Sequence, residues 1–187
     1  MALRIGAVLM ASGAAVRFGS NKLLHPVEGV PMIRHTFDAV PARLFAGACV
    51  VSCYPEVLAL AEEYGYSPVP NPCAREGQTA SIRLGLAALR EMDGVLFAVC
   101  DQPWLRRESV ERLLSGFSRH PECICALGWK GKRGNPVLFP SGLFPALSSL
   151  TGDGGGGRII AANRGLLRLV EAGDARELCD VDIPEEA

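Results

Sequence analysis

The fold class this sequence predicts is α/β: a Rossmann-like three-layer sandwich whose mostly parallel, mixed seven-stranded sheet is flanked by helices. Three observations predict it. Apolar runs at 5–10, 47–53 and 94–100 lack the polar alternation of a half-wet strand, as expected of strands covered on both faces. Helical periodicity at 31–40, 55–64 and 107–118 alternates with these runs, the rhythm of an open sheet with right-handed crossovers. Two later runs, 123–127 and 136–140, are joined by a short turn and should therefore pair antiparallel, which makes the sheet mixed. At 187 residues the chain fits one domain, 1–187, and a chain of that length buries roughly 70% of its unfolded surface without help from disulfides or a structural metal.

The first element carries the strongest chemical signal. Ile5 to Met10 is a buried strand that stops at a loop, Ala11 to Ala15, containing nothing larger than Ser12. Small residues let the backbone approach a ligand closely and turn N–H groups toward an anion. Arg17 and Lys22 add positive charge beyond it, with Gly19 between them, so the stretch suits a triphosphate. It is not a P-loop, because Gly13 and Gly19 are one residue too far apart and Ser20 and Asn21 precede Lys22. Nor is it a dinucleotide fingerprint, since no second glycine follows Gly13 at the required place.

The remaining elements follow in order. Pro31 opens a helix with Met32, Ile33, Phe37 and Val40 inward; its His35 reads as a surface or packing residue. GACVVSC (47–53) is a strand, Pro55 starts a helix to Tyr64, and Tyr66 to Val69 makes a short strand ended by the turn residues Pro70, Asn71 and Pro72. The next helix carries Gln78, Thr79 and Ser81 at its start, where they can cap it or meet a base or ribose. GVLFAVC (94–100) is nearly all apolar and so central, and it delivers Asp101 to the crevice where open α/β sheets bind ligands. An amphipathic structural helix (107–118) precedes the antiparallel pair. Its turn, 128–135, carries Lys130, Lys132 and Arg133 as solvated charges. Residues 142–150 are helical, and the run Gly154 to Gly157 reads as a mobile loop over a site, since four glycines cost backbone entropy to order. Residues 166–172 supply the last strand. Asp180 and Asp182 then share a face if extended, a pair that attracts a cation.

Taken together, these landmarks resemble the nucleotidyltransferase superfamily, and within it the molybdenum cofactor cytidylyltransferase group. The loop matches its G-x-x-x-R-M-G-x-x-K signature at Gly13, Arg17, Gly19 and Lys22, with Leu9 on the preceding strand and Phe18 where the family usually has Met. Gly77 and Ser81 match a G-x-x-x-S element, Asp101-Gln102-Pro103 a D-Q-P element, Thr151-Gly152-Asp153 with Gly155 a T-G-D-x-G element, and 180–184 most of a D-x-D-T-P ending. The resemblance implies catalytic roles for Arg17, Lys22 and Asp101. It implies nucleotide contacts from Leu9, Met10, Ala11, Ser12, Gly13, Gly19, Gly77 and Ser81, and a magnesium ion, Mg²⁺, on Asp101 and Asp182. Acceptor contacts would come from Thr151, Gly152, Asp153 and Asn135, the last standing where the family has His in G-H-P. The implied reaction moves CMP from CTP to molybdenum-molybdopterin and releases pyrophosphate, with a molybdenum hydroxylase apoenzyme as a further partner. The alternatives are a relative using GTP on the same cofactor or a nucleotide on a sugar phosphate, and a non-catalytic carrier of the cofactor.

Composition agrees with a soluble globular protein: 49% hydrophobic, 21% charged and net charge −1, which argues against nucleic acid or a membrane surface as partner. Seven cysteines without C-x-x-C spacing exclude a zinc ribbon. Cys49, Cys53, Cys100, Cys123 and Cys125 fall inside apolar runs and are expected to be buried thiols in a reducing cytoplasm. No signal peptide or membrane span is expected.

Overall fold

The computed structural model describes residues 2–13, 21–152 and 154–181. The main strands are β1 (Ile5–Met10), β4 (Gly47–Ser52), β5 (Ser67–Pro70), β6 (Gly94–Val99), β7 (Ile124–Trp129), β8 (Lys132–Pro140) and β9 (Leu167–Glu171). Between β1 and β4 lies a small ribbon of β2 (Pro26–Val27) and β3 (Val30–Pro31), turned at Glu28 and Gly29, both at positive φ. The helices are α1 (Met32–Ala39), α2 (Pro55–Glu63), α3 (Gln78–Ala88), α4 (Arg107–Arg119), α5 (Phe144–Ser148) and α6 (Gly157–Ala162).

The large sheet has the order β5-β4-β1-β6-β8-β7-β9. Every neighbouring pair is parallel except those made by β8, which runs against both β6 and β7. The mixed, mostly parallel seven-stranded sheet is therefore as the apolar runs predict. From β1 the chain moves outward through β4 to β5, then returns to the other side of β1 with β6, so the strand order reverses between β1 and β6. Their ends are in register, Met10 beside Val99, and a crevice opens there.

Side chains alternate across the sheet into two cores. Leu9, Leu96 and Leu127 pack with Ile33, Phe37, Leu113 and Phe117 of α1 and α4. Val8, Val51, Val95 and Phe97 face Ile82 and Leu86 of α3 together with Ile160 of α6. Helices thus cover both faces, which is why the central strands tolerate continuous apolar sequence.

Several expectations need correction. Pro31 is not the first helical residue; it pairs with Pro26 in the ribbon and flanks α1 from outside. A two-strand ribbon of such short segments has no periodicity to read. The turn expected at 128–135 shrinks to Lys130 and Gly131, both at positive φ, because two residues in that conformation match the twist of a hairpin and let β7 and β8 extend toward it. Cys53 is exposed, since β4 ends at Ser52, whereas Cys49, Cys100, Cys123 and Cys125 are buried as expected. The glycine run is not simply a loop: Gly155 is buried and Gly157 begins α6. A Cβ on Gly156 would come within 3.1 Å of the Phe139 ring, and one on Gly155 within 3.0 Å of Gln78 Oε1. Close packing against Phe139 accounts for Gly156 and the positive φ of Gly155 for the other, contrary to the entropy argument that assigned them to mobility.

Candidate active site

The crevice between β1 and β6 holds a cleft of about 340 Å³. It is lined by Met10, Ser12 and Gly13 after β1, Lys22 and Leu23, Arg75, Gly77, Gln78 and Ser81 around the start of α3, and Cys100 and Asp101 after β6. A wider depression of about 920 Å³ sits at Gly47 and Ser67, the starting ends of β4 and β5. It lies at the opposite end of the strands from Asp101, so the smaller cleft is the one with chemistry in it.

Asp101 arrives at the cleft because β6 is buried up to its last residue and the chain must turn there. Its Oδ2 accepts from Lys22 Nζ at 3.0 Å, and the two side chains keep 27% and 16% of their exposure. Lys22 is positioned by its neighbours: the Asn21 side chain accepts from Leu23 N–H at 3.1 Å, and Leu23 is buried. Lys22 Nζ also donates to Val181 O at 3.2 Å, while Val181 N–H donates to Asp101 O at 2.9 Å. The C-terminal segment therefore clasps both members of the pair. It is anchored further back by Glu177, fully buried, whose carboxylate accepts from the backbone N–H groups of Gly173 and Arg106. Gln102 Nε2 completes the clasp, donating to Asp180 Oδ1 at 2.7 Å and Leu178 O at 3.2 Å. Behind the pair, burial pushes the Cys100 thiol well above its ordinary pKa, so it stays neutral next to Asp101.

The loop after β1 is pinned from the β4 side. Ser52 Oγ donates to Ala11 O at 2.8 Å, Ser12 Oγ to Val51 O at 3.1 Å, and Tyr54 OH to Gly13 O at 3.2 Å. Asn71, which follows β5 and is 2% exposed, reaches both Ser12 and Ser81 with its amide. Neither Ser81 nor Thr79 caps α3: its first residue follows Gly77, which makes no side-chain cap, so the capping reading gives way to a cleft-facing one for Ser81.

Of the other sequence-predicted residues, Met10, Ser12, Gly13 and Gly77 line the cleft. Leu9 and Ala11 do not; they are buried in the core beneath it. Counted back from Gly13, the family's apolar position three residues earlier falls on Met10. Asn135 lines an adjoining cavity of about 270 Å³, which shares Met10 and Gln78 with the cleft and is edged by Arg133, Gly154 and Gly156. Thr151 and Gly152 are exposed and outside that lining. Arg17, Gly19, Asp153 and Asp182 lie outside the described residues. Gln78, read in the sequence with Thr79 and Ser81 as able to cap the helix or meet a base or ribose, also lines the cleft. Sequence reasoning passed over Asn71, Ser52 and Arg75; Asn71 was legible only as a turn former, although it ends a strand on the ligand side of the sheet.

Among the described residues no three His, Cys, Asp or Glu side chains gather into a cation site. Among the described residues Asp101 is the one carboxylate lining the cleft, which suits an ion that arrives with a triphosphate and takes most of its ligands from phosphate and water, as Mg²⁺ does. No helix of the described residues is long and apolar enough to cross a membrane.

The profile of the MobA-like NTP transferase domain matches residues 7–169. The purine catabolism protein PucB of Bacillus subtilis (strain 168) is 28% identical, covering 96% of this chain and 92% of PucB. The nicotine blue oxidoreductase of Paenarthrobacter nicotinovorans is 30% identical over the same shares of both chains. A probable molybdenum cofactor guanylyltransferase of Pyrococcus horikoshii is 25% identical over 68% of this chain and 64% of its own. In fold, the crystal structure of Rv0371c from Mycobacterium tuberculosis H37Rv superposes with a TM-score of 0.83 at 22% identity, covering 100% of this chain and 96% of that one. Its complex with manganese gives 0.76 at 20% identity, covering 90% and 88%. With the domain match at residues 7–169 spanning most of its length, the chain belongs to the MobA-like NTP transferase family and is a nucleotidyltransferase.

Proposed function

We propose that the chain transfers CMP from CTP to the terminal phosphate of molybdenum-molybdopterin, forming the cytosine dinucleotide and releasing pyrophosphate. The observation that carries this reading is the half-buried Lys22–Asp101 pair at 3.0 Å, set where the strand order reverses and facing a loop of small residues. An acceptor phosphate oxygen attacks the α-phosphorus, its new P–O bond forms as the bond to pyrophosphate breaks, and charge gathers on the leaving oxygens. Such a reaction asks the protein mainly to position and neutralise. In this reading Asp101, with Asp182, holds Mg²⁺, which screens the phosphate oxygens when bound. Lys22 exchanges its carboxylate partner for a phosphate, and Arg17 takes the far side of the chain of phosphates. Gly77, Ser81, Met10, Ser12 and Gly13 hold the nucleoside. The acceptor occupies the cavity at Asn135, with Thr151, Gly152 and Asp153 as further contacts implied by the resemblance.

The guanylyltransferase relative and the manganese complex of Rv0371c support the acceptor class and a divalent ion, respectively. The choice of CTP over GTP rests on the family resemblance of the loop. A thermal-shift panel of nucleoside triphosphates, with and without Mg²⁺, tests it. CTP with Mg²⁺ should raise the melting temperature most, and Asp101→Ala should lose both that shift and turnover while folding normally. A larger shift with GTP would move the enzyme to guanylyl transfer. No shift with any triphosphate, beside binding of the cofactor, would make it a carrier.

A further inference from the structure

Asn71 is buried, and the direction of its amide is fixed by a group that can only donate. Cys73 N–H bonds its Oδ1 at 3.0 Å, so the oxygen must lie on that side and Nδ2 on the other. Nδ2 then donates one hydrogen to Ser12 Oγ at 3.0 Å and one to Ser81 Oγ at 3.3 Å. Both amide hydrogens are used, and both serines are acceptors. Ser12 passes its own proton to Val51 O. Ser81 has no such outlet: among the described residues its hydroxyl makes only the bond from Asn71, and the usual helical bond to a carbonyl one turn back is not formed. The residue is 2% exposed, yet it lines the cleft beside Gly77 and Gln78. A buried donor without a partner is costly, so an atom that can accept its proton belongs in the cleft at that point.

Resting on the nucleotide reading above, we infer that Asn71 is a positioning residue whose fixed amide obliges Ser81 to donate its hydroxyl proton to an acceptor atom of the bound nucleoside. α3 itself gives the cleft only the uncharged Gln78 and Ser81, whereas the charged lining residues Lys22, Arg75 and Asp101 come from other elements. The partner is accordingly a base carbonyl, a ring nitrogen or a ribose oxygen rather than a phosphate.

Isothermal titration of the full chain with Mg·CTP and with Mg·GTP tests this. Ser81→Ala should weaken the better-bound nucleotide about tenfold, the scale of one hydrogen bond to a buried donor, and should also lower the melting temperature of the free chain, because one Asn71 amide hydrogen loses its acceptor. Asn71→Asp reverses the polarity: one carboxylate oxygen still accepts from Cys73 N–H, while the other accepts the Ser81 proton and draws it away from the ligand. Its loss should match that of Ser81→Ala, and the double variant should bind no worse than Asn71→Asp alone. Should Asn71→Asp fail to fold, Asn71→Ala takes its place: without the amide that fixes Ser81 as a donor, nucleotide binding should weaken measurably, and binding equal to wild type overturns the inference. Wild-type binding with Ser81→Ala within twofold of it overturns the inference and leaves the nucleotide reading standing. A wild-type protein that binds neither nucleotide overturns both.

Discussion

Lys22 sits between two acceptors that have nothing to do with each other in sequence: the Asp101 carboxylate, 79 residues away, and the Val181 carbonyl, 159 away. A cation with 16% of its side chain exposed is held there because the end of β6 and Val181 of the C-terminal segment meet at the same crevice. In the proposed reaction that placement makes it a donor already aimed at the oxygens on which charge develops. Removing one such donor costs roughly a hundredfold in rate, so Lys22→Ala should lower the single-turnover rate at saturating Mg²⁺ and nucleotide by about that factor. A change below about threefold, the scale of a solvated surface charge, would take Lys22 out of the mechanism. Asp101 was legible in the sequence because an apolar run ends on it. Its pairing with Lys22 was not, since no local pattern reports which loops meet across a sheet. Asn71 illustrates the converse: an Asn between two prolines has the composition of a turn, and only burial reveals that its amide joins two other elements.

Between elements, the contact that shapes the cleft is α3 on β1. An added Cβ at Gly85 would lie 2.4 Å from Val8 Cγ1 and 2.6 Å from its Cγ2, so the helix can reach the strand at that point only without a side chain. This close approach brings the start of α3, with Gln78 and Ser81, alongside Met10 and Ser12. Gly85→Ala must push the helix outward or force Val8 off its rotamer, at a cost of about 1–3 kcal/mol against a helix-propensity gain of about 1. We expect lower stability in urea together with weaker nucleotide binding, because the displaced helix carries Ser81 with it. Unchanged binding in a destabilised variant would separate the packing from the site. The periodicity of α3 was readable from Ile82, Leu86 and Leu89, but Gly85 reads in sequence merely as a poor helix former. Its reason for being there exists only once the strand beneath it is placed. The hairpin between β7 and β8 shows the same limit: glycine and lysine composition suggested a long turn, while the two residues with positive φ make a tight one.

At the scale of the whole molecule, the sheet buries thiols deeply enough to couple stability to pH. Burial raises Cys49 from 9.0 to about 12 and Cys125 to about 11, with the nearby Cys123 adding to the latter, and it raises Cys100 further with a contribution from Asp101. Burial also raises the Tyr66 phenol, whose hydroxyl donates to Val40 O. Each of these groups is neutral when protonated, so between its unfolded and folded pKa the folded chain holds a proton that the unfolded chain has released. Stability contributed this way is complete below about pH 9 and declines as pH rises toward the folded values. One pH unit above its unfolded pKa, Cys49 alone should cost on the order of 1 kcal/mol. Urea unfolding at pH 8, 9 and 10 under reducing conditions should therefore show a falling midpoint. Cys49→Ala removes one thiol from the linkage and should flatten that decline, even though the shortened side chain lowers stability at every pH. If the variant's stability falls with pH as steeply as the wild type's, the thiol beneath α3 is not the group that titrates, and the alkaline loss has to be assigned to Cys100, Cys125 or Tyr66 by the same substitution.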